Sequence, residues 1–368
     1  MKMETANGAQ MEFLPLIQAF DIPEGSWKAE AFGNGHINRT YRVTAPERQE
    51  EYILQWINQH VFHYPDQVQE NILAVTSHLR EKILAEGGDP NRETLRVIPA
   101  RDGRSWVRTA EGDWWRMFLN VERTFSMDLP DSPDRFRKCG EAFGRFQRRL
   151  GDFPVEKLHE TIPNFHNTPW RLENLEKAAR EDALGRLKEV RPELDFCLKR
   201  AEWTGKLVSG LREGTLPLRV THNDTKLNNV LLDRETGEAV CVVDLDTVMP
   251  GLMAYDYGEA IRTGASTAPE DETNPEKIQI SLPLVQAYTR GFLAELGAIT
   301  PEERLSLPWG ARMMTLENGM RFLTDYLEGD HYFAIHRPRH NLDRARAQLT
   351  LLSRMEEKWD ELLAALEE

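Results

Sequence analysis

The chain has 368 residues, a formal net charge of −14, and 40% hydrophobic and 29% charged residues. These values are ordinary for a globular protein and exclude long disordered tracts, and an acidic chain is an unexpected partner for nucleic acid because phosphate backbones repel it. The three cysteines are odd in number and none lies in a C-x-x-C pair, which argues against a disulfide framework or a zinc site. Since we see no apolar leader and no apolar stretch of about 18 residues, we expect a cytoplasmic protein that spans no membrane.

The first third of the sequence has the pattern of a small sheet with one helix. We expect a short helix at residues 11–20 and a tight turn at Gly33-Asn34-Gly35-His36. From Pro65 to Ile83 apolar residues recur at three- and four-residue steps, which predicts an amphipathic helix. Six short runs have strand character, at residues 27–32, 39–45, 51–57, 95–98, 105–108 and 114–119. Together they predict a mostly antiparallel sheet.

The later part of the sequence is helical, with one interruption. We predict helices at residues 132–150, 169–183 and 192–212. A strand hairpin is expected within residues 218–244. Two apolar stripes then follow, from Leu316 to Leu327 and from Leu342 to Leu366, with the spacing of helices that pack into a core.

This distribution of elements predicts two lobes and an α+β fold class. A small β-rich N-lobe is expected over residues 1–122, and a larger helical C-lobe over residues 123–368. The connection near residues 119–123 would be the hinge between them.

One segment combines side chains suited to catalysis. Residues 220–229 read VTHNDTKLNN and match H-x-D-x-x-x-x-N through His222, Asp224 and Asn229. A hairpin pattern follows, and it ends in Val243-Asp244-Leu245-Asp246. The structural alternative is an Asp and an Asn that cap a turn. The apolar strand before the motif and the D-x-D after it favour a catalytic site.

This pattern suits phosphoryl transfer, which requires in-line positioning and neutralised charge more than covalent help. Asp224 is placed to accept the proton of the acceptor hydroxyl. Asn229 and Asp244 are placed to hold Mg²⁺ against the phosphates, because hard cations take oxygen ligands. We expect His222 to brace the loop.

The sequence resembles the aminoglycoside phosphotransferase/choline kinase superfamily, which shares the protein-kinase-like two-lobed fold. Within that superfamily it is most similar to bacterial N-acetylhexosamine 1-kinases. The resemblance covers nearly the whole chain and is strongest in GNGHIN at 33–38, THNDTKLNN at 221–229, VDLDT at 243–247 and GMRFLTDYLEGD at 319–330. The first and last of these strings are the ones that resemble the sugar kinases.

The resemblance implies roles for residues outside the catalytic motif. Asp256 would support the backbone of the catalytic loop. Asp246 would either reach a second metal ion or order its loop, and both roles stay open. Asn120 and Val121 in the hinge would offer backbone groups to the adenine edge, and Gly33 and Gly35 would lie over the phosphates. ATP and Mg²⁺ are the ligands that these roles imply.

Gln55 departs from the protein-kinase pattern, in which the third strand carries a lysine that grips the α- and β-phosphates. A glutamine can donate a hydrogen bond but brings no positive charge. The hexosamine kinases share this feature, so the resemblance still implies an active enzyme in which Gln55 contacts the nucleotide.

The acceptor site is assigned from polar residues around the glycine turn and the last helical stripe. The main candidates are His36, Arg321, Asp330 and Tyr332. His166 and Arg171 are further candidates. For all of them the structural alternative is an exposed turn residue or a surface salt bridge.

The sequence therefore predicts a kinase that phosphorylates the anomeric hydroxyl of N-acetylglucosamine or N-acetylgalactosamine. Its partners would be a small-molecule sugar and a nucleoside triphosphate, without nucleic acid or membrane, and the oligomeric state stays open. Three alternatives remain: a kinase of the same fold for choline, ethanolamine, homoserine, a methylthio-sugar or an aminoglycoside; a nucleotide-binding pseudokinase, which Gln55 favours; and a metal-dependent hydrolase.

Overall fold

The structure is a computed structural model that describes residues 13–33 and 37–367. The chain divides into two compact units, each assembled from several segments. Unit 1 comprises the described residues up to Phe125, Asp152–Ile162 and Leu231–Met249. Unit 2 comprises Ser126–Gly151, Pro163–Val230 and the described residues from Pro250 onward. Because both units are discontinuous along the chain, the predicted lobes at 1–122 and 123–368 remain a proposal.

Unit 1 is built on a six-stranded antiparallel sheet in the order β1-β2-β3-β6-β4, with β5 also paired to β6. The strands are β1 (Lys28–Ala31), β2 (Arg39–Thr44), β3 (Tyr52–Ile57), β4 (Val97–Ile98), β5 (Val107–Arg108) and β6 (Trp114–Leu119). All six predicted strands form, because each run alternates apolar and polar residues or is rich in β-branched and aromatic ones. A short helix, α1, covers residues 13–18.

The apolar face of this sheet forms the core of unit 1. Val43, Leu54 and Met117 are fully buried there, one from each of three neighbouring strands, and Ile17 of α1 packs against the same cluster. Burial of each such side chain stabilises the fold by about 1.5–3 kcal/mol. The antiparallel register also places Gln55 of β3 directly opposite Arg116 of β6.

Helix α2 (Pro65–Ala85) ties the discontinuous segments of unit 1 together through Asn71. The Asn71 side-chain Nδ2 donates to the carbonyl oxygens of His159 at 2.8 Å and Val248 at 2.9 Å, and its Oδ1 accepts from the His159 N–H at 2.8 Å. The bond to Val248 fixes the segment that follows Asp246 against the helix, and the two bonds to His159 fix the Asp152–Ile162 segment. The short helix α3 (Pro90–Glu93) follows α2.

The predicted hairpin near residues 218–244 forms from β9 (Val230–Asp233) and β10 (Ala239–Val242). The third strand of this sheet, β7 (Thr124–Phe125), pairs antiparallel with β9 and was not predicted from the sequence. A two-residue strand is too short to show an alternating pattern.

Unit 2 is mostly helical. Its helices are α4 (Pro133–Arg149), α5 (Thr168–Glu181), α6 (Arg191–Leu198), α7 (Ala201–Thr204), α8 (Lys206–Glu213), α9 (Met253–Gly264), α10 (Leu282–Leu296), α11 (Pro301–Glu328), α12 (His340–Glu357) and α13 (Trp359–Ala364). A short pair of strands, β8 (Arg219–Thr221) and β11 (Met249–Gly251), leads into and out of the catalytic region. The first predicted C-terminal stripe lies in α11 and the second in α12 and α13, except for Leu366, which follows α13; their apolar residues are buried apart from the half-buried Trp359. Across the described residues, no helix has both the length and the apolar character that a membrane span requires.

Residues 192–212, which were predicted to be helical, form three helices with breaks that the sequence did not predict. The break between the first two lies at Arg200, whose φ of −108° and ψ of 11° are not helical. Its guanidinium stacks over Phe196 and forms an ion pair with Glu356 at 2.5 Å. A tertiary contact with α12 therefore ends the helix, which the local apolar spacing does not reveal.

Helices α9 and α11 approach closely at two glycines. A Cβ on Gly258 would lie 2.3 Å from backbone atoms of Gly310, and a Cβ on Gly310 would lie 1.9 Å from the carbonyl oxygen of Ala254. No side chain fits at these distances, so the glycines set the spacing of the two helices. The spacing matters for the site because α9 carries Asp256.

Replacing Gly310 by alanine should lower the free energy of unfolding by about 1–3 kcal/mol, because the helices must move apart to admit the methyl group. Urea denaturation measures the change. Gly205→Ala is the matched control: Gly205 has a helical φ of −77°, and its Cβ would meet only the Ser209 hydroxyl at 3.7 Å, so stability should stay equal or rise slightly. Equal stability of the two variants would contradict the close approach.

Candidate active site

The predicted catalytic loop follows β8 and is anchored by Asp256, a fully buried residue of α9. The Asp256 carboxylate accepts hydrogen bonds from the backbone N–H groups of His222 at 2.9 Å and Asn223 at 2.7 Å, and from Gln147 Nε2 at 2.7 Å. Burial raises the pKa of Asp256 above its ordinary value, while His222 and the hydrogen bonds oppose that rise. Asn223 is held at a left-handed φ of 64°, which the anchored loop imposes.

Asp224 carries the carboxylate at the end of this loop. Its side chain is 27% exposed, and its Oδ1 lies 2.8 Å from Lys226 Nζ. Burial alone would raise the pKa of Asp224, but the Lys226 ammonium outweighs it and holds the pKa below its ordinary value. The carboxylate is therefore ionised at neutral pH and able to accept a proton.

His222 is fully buried beneath the loop. Its Nδ1 lies 3.2 Å from the backbone nitrogen of Asp224 and accepts the hydrogen bond from that N–H. The ring packs edge-on against Phe143 and Phe146. The histidine thus contacts loop backbone and apolar rings, which supports a bracing role.

Asn229 and Asp244 are the candidate metal ligands. Asn229 Nδ2 donates to the Asp224 carbonyl at 2.8 Å, which fixes the side-chain amide and orients its oxygen away from that contact. Asp244 adopts a left-handed φ of 61° and ψ of 58° directly before a 3-10 helix, Leu245–Thr247. Within the described ranges, His, Cys, Asp and Glu side chains form no group of three or more that could hold a metal ion. Amide and carboxylate oxygens suit Mg²⁺, which usually keeps several waters and phosphate oxygens as its other ligands.

Gln55 lies in a polar network inside unit 1 that was not predicted from the sequence. Its Oε1 accepts from Arg116 Nε at 2.9 Å, and its Nε2 donates to the Thr40 hydroxyl at 3.0 Å. Arg116 also forms an ion pair with Asp246, whose other oxygen accepts from Asn38 Nδ2. The available signal was a single arginine inside the apolar run of β6, Trp114-Trp115-Arg116-Met117-Phe118.

The glycine turn is only partly described. Gly33 has a left-handed φ of 76°, and a Cβ there would meet no atom of the described residues within 4 Å, so glycine suits the backbone angle. The predicted contacts of Gly35 and His36 lie outside the described residues. Asn38 directly precedes β2, and its Oδ1 accepts from the Asn58 N–H at 3.0 Å.

The predicted hinge residues follow β6. The Asn120 N–H donates to the Glu51 carbonyl at 2.9 Å, and the Asn120 side-chain amide donates to the Glu51 carboxylate at 2.8 Å. The Val121 carbonyl accepts from the Thr124 hydroxyl at 2.7 Å. These bonds fix the backbone of the segment, and its role at an adenine edge stays a prediction.

Arg321 of α11 lies in an aromatic surrounding in unit 2. Its guanidinium is 5.4 Å from the Phe165 ring, 5.8 Å from the Tyr332 ring and 5.4 Å from the Phe333 ring. The Tyr332 loop is held by the Asp325 carboxylate, which accepts the Tyr332 N–H at 2.8 Å and the Phe333 N–H at 2.9 Å. Tyr332 itself is exposed, as a residue that meets a ligand would be.

Asp330 is engaged in a structural network. One carboxylate oxygen accepts from Arg186 Nη1 at 2.7 Å and the other from Asn341 Nδ2 at 3.0 Å. Its predicted contact with the acceptor remains a prediction, and the bonds to Arg186 and Asn341 make it a support for the loop.

Glu317 is the buried acidic group of this region, one helical turn before Arg321. Its two oxygens accept from the Thr168 hydroxyl and pair with His166 Nδ1, both at 2.9 Å. Burial opposes ionisation of Glu317, but His166 and the nearby arginines lower its pKa below the ordinary value. Burial, followed by the charge of Arg321, lowers the pKa of Arg171 to about 10. The positive charges of Arg171 and Arg321 thus both act on one internal carboxylate.

A β-rich unit, a largely helical unit and an H-x-D-x-x-x-x-N loop anchored by a buried aspartate define a phosphotransferase with the protein-kinase-like fold. The sequence matches the family described as the phosphotransferase enzyme family over residues 28–293. The chain belongs to that family.

Solved structures confirm the kinase-like fold. The chain is similar to a spectinomycin phosphotransferase in complex with ADP and spectinomycin, at 12% identity and a TM-score of 0.55, covering 97% of this chain and 98% of that one. An aminoglycoside phosphotransferase from Alicyclobacillus acidocaldarius is similar at 13% identity and a TM-score of 0.57, covering 100% of this chain and 96% of that one. An ethanolamine kinase from Plasmodium vivax is similar at 12% identity and a TM-score of 0.55, with 95% of each chain covered.

Proposed function

We propose that this phosphotransferase uses ATP and Mg²⁺ to phosphorylate the anomeric hydroxyl of an N-acetylhexosamine, N-acetylglucosamine or N-acetylgalactosamine, giving the sugar 1-phosphate. The observation that carries the catalytic part is the Asp224 carboxylate, ionised and partly exposed on a loop fixed by Asp256. The sugar specificity rests on the resemblance in the sequence and on the charges around Arg321.

The reaction follows from this loop. Asp224 accepts the proton of the anomeric hydroxyl while the hydroxyl oxygen forms a bond to the γ-phosphorus of ATP. The bond between that phosphorus and the bridging oxygen breaks, and ADP leaves with the electron pair. Lys226, which pairs with Asp224 at 2.8 Å, fixes the orientation of the carboxylate and offers positive charge to the transferred group.

The metal would be held by Asn229 and Asp244, whose oxygens have the chemistry that Mg²⁺ prefers. When bound, Mg²⁺ supplies neutralisation of the phosphate charge. Asp246 is proposed to order the loop that carries Asp244, and Gly33, Gly35, Gln55, Asn120 and Val121 are proposed to surround the nucleotide.

The charge near Arg321 supports a neutral acceptor rich in hydroxyl groups. The charges of Arg171 and Arg321 both act on Glu317, whose two oxygens already bind His166 and Thr168. A polycationic aminoglycoside or a choline-like cation would be repelled by two guanidinium groups, whereas an acetamido carbonyl accepts hydrogen bonds from them. His36, Tyr332 and Asp330 complete the proposed acceptor site.

A coupled ADP-release assay with separate acceptors tests the proposal, followed by phosphorus NMR of the product. The panel is N-acetylglucosamine, N-acetylgalactosamine, glucose, galactose, choline, ethanolamine, homoserine, methylthioribose and kanamycin. We expect turnover with an N-acetylhexosamine and an acid-labile sugar 1-phosphate. Turnover with only a cationic acceptor would refute the acceptor assignment and keep the phosphotransferase. ATP binding without transfer to any acceptor would favour a pseudokinase, and release of phosphate without an acceptor would favour a hydrolase.

Arg321→Gln should raise the KM for the sugar about tenfold or more while the KM for ATP stays within twofold, because it removes a charged donor from the proposed acceptor site only. Steady-state kinetics with each substrate varied in turn measures the split. Arg180→Gln, an exposed arginine of α5 in the same unit, is the control and should leave both constants unchanged. An equal rise in both KM values would contradict the assignment.

A further inference from the structure

We propose that Arg116 acts as a positioning residue that holds Asp246 and thereby the backbone of Asp244. The proposal rests on the proposed function, because it assigns work to a residue of the same site. It concerns contacts within unit 1 alone.

The positive charge near Gln55 lies on the neighbouring strand, β6. Gln55 stands on β3, where the protein kinases have a lysine, and Arg116 stands directly opposite on β6. Arg116 Nε donates to Gln55 Oε1 at 2.9 Å, so the glutamine accepts from the arginine instead of carrying a charge itself. The Gln55 amide nitrogen is fixed by the Thr40 hydroxyl at 3.0 Å. The cation therefore lies on β6, one strand away from the β3 position at which protein kinases have a lysine.

The Arg116 guanidinium is buried and contacts a buried carboxylate. Arg116 is 1% exposed, and its Nη1 forms an ion pair with Asp246, which is 4% exposed. A buried charge is costly unless it is paired, so each group depends strongly on the other. A guanidinium so enclosed and already bound to Gln55 and Asp246 is suited to holding protein groups in place rather than to gripping phosphate.

Asp246 lies next to a strained backbone position at Asp244. Asp244, two residues earlier, has a left-handed φ of 61°, a conformation that costs about 1 kcal/mol or more in a residue with a Cβ and persists only where the surroundings enforce it. Asp246 lies in the 3-10 helix that begins directly after Asp244. Its second oxygen accepts from Asn38, the residue directly before β2. Asp246 therefore links Arg116 of the sheet and Asn38 to the backbone of a proposed metal ligand.

The experiment compares Arg116→Gln, Asp246→Asn and the double variant Arg116→Gln/Asp246→Asn, which removes both buried charges together. Arg116→Lys keeps the charge but offers a single donor group. Arg104→Gln, an exposed arginine paired with Asp102 in the same unit, is the matched control. Two readouts are taken: kinetics at varied Mg²⁺, and the rise in Tm caused by ADP with Mg²⁺ and by ADP in EDTA.

We expect both single variants to lower kcat at least tenfold and to raise the Mg²⁺ concentration for half-maximal rate at least fivefold. The extra Tm rise that Mg²⁺ gives to ADP should be lost, while the rise caused by ADP in EDTA stays. The double variant should be no worse than either single one, since the two residues act as a pair. Arg116→Lys should recover part of kcat, and Arg104→Gln should match the wild type.

Three outcomes would overturn the proposal. Loss of the ADP effect in EDTA for Arg116→Gln but not for Asp246→Asn would make Arg116 a phosphate ligand. Additive losses in the double variant would separate the two residues, and wild-type behaviour of the single variants would remove the role altogether. If the wild type phosphorylated no acceptor, the proposed function would fail, and the Tm readout would still decide what Arg116 does.

Discussion

Asp224→Asn is expected to lower kcat by about 10²–10⁴-fold, the range of a positioned general base. The amide keeps the shape of the side chain but cannot take the proton of the acceptor hydroxyl, so turnover falls while ADP still binds with nearly its wild-type affinity. Single-turnover kinetics and ADP binding by calorimetry measure the two parts. Asp195→Asn, on the exposed side of α6, is the matched control and should leave both unchanged. A kcat within a few-fold of the wild type would mean that Asp224 is not the base.

The pH dependence of the wild type follows from the same carboxylate. Because Lys226 holds the pKa of Asp224 below its ordinary range, Asp224 stays ionised as the pH falls from 8 to 5. We therefore expect no acid limb from this group in kcat/KM over that window, and a decline only when the pH approaches the lowered pKa. Lys226→Met removes the charge that lowers the pKa, so the acid limb should move to higher pH. An unchanged acid limb in that variant would contradict this cause of the shift.

Asp256→Ala should be the most destabilising of the substitutions considered, at about 3–5 kcal/mol. The carboxylate accepts from two backbone N–H groups and from Gln147, and its removal leaves these three buried donors without their acceptor. Since the same bonds fix the loop that carries Asp224, kcat should fall in step with stability. Urea denaturation followed by circular dichroism measures the free energy of unfolding, and the coupled assay measures kcat.

The variant Asp256→Asn tests which property of the Asp256 side chain holds the loop, because it keeps one acceptor oxygen that Asp256→Ala removes. The amide oxygen can still accept from the loop N–H groups, but its NH₂ group confronts a donor, so an intermediate loss of stability is expected. Asp195→Asn again gives the baseline for an exposed carboxylate. If Asp256→Ala unfolded at the same urea concentration as the wild type, the buried anchor would not be what holds the catalytic loop.

The sequence by itself determined the elements and the catalytic motif. All six strands of the unit 1 sheet and the helix that starts at Pro65 follow from local periodicity, which depends only on neighbours a few residues away. The spacing of His222, Asp224 and Asn229 is likewise a local property, because one loop carries all three. The kinase-like fold and the phosphotransferase family were predicted from the resemblance that the strings at 33–38, 221–229, 243–247 and 319–330 carry, and not from periodicity.

The tertiary structure alone decided which distant residues share a contact. Gln55 and Arg116 are 61 positions apart, and Arg116 meets Asp246 only because β6 lies beside the segment that follows the hairpin. The helix break at Arg200 has the same origin, since its partner Glu356 lies 156 positions away. Local patterns indicate which face of a helix or strand is buried. They do not indicate which buried charges pair, because the partner of each charge depends on how distant segments pack in the folded chain.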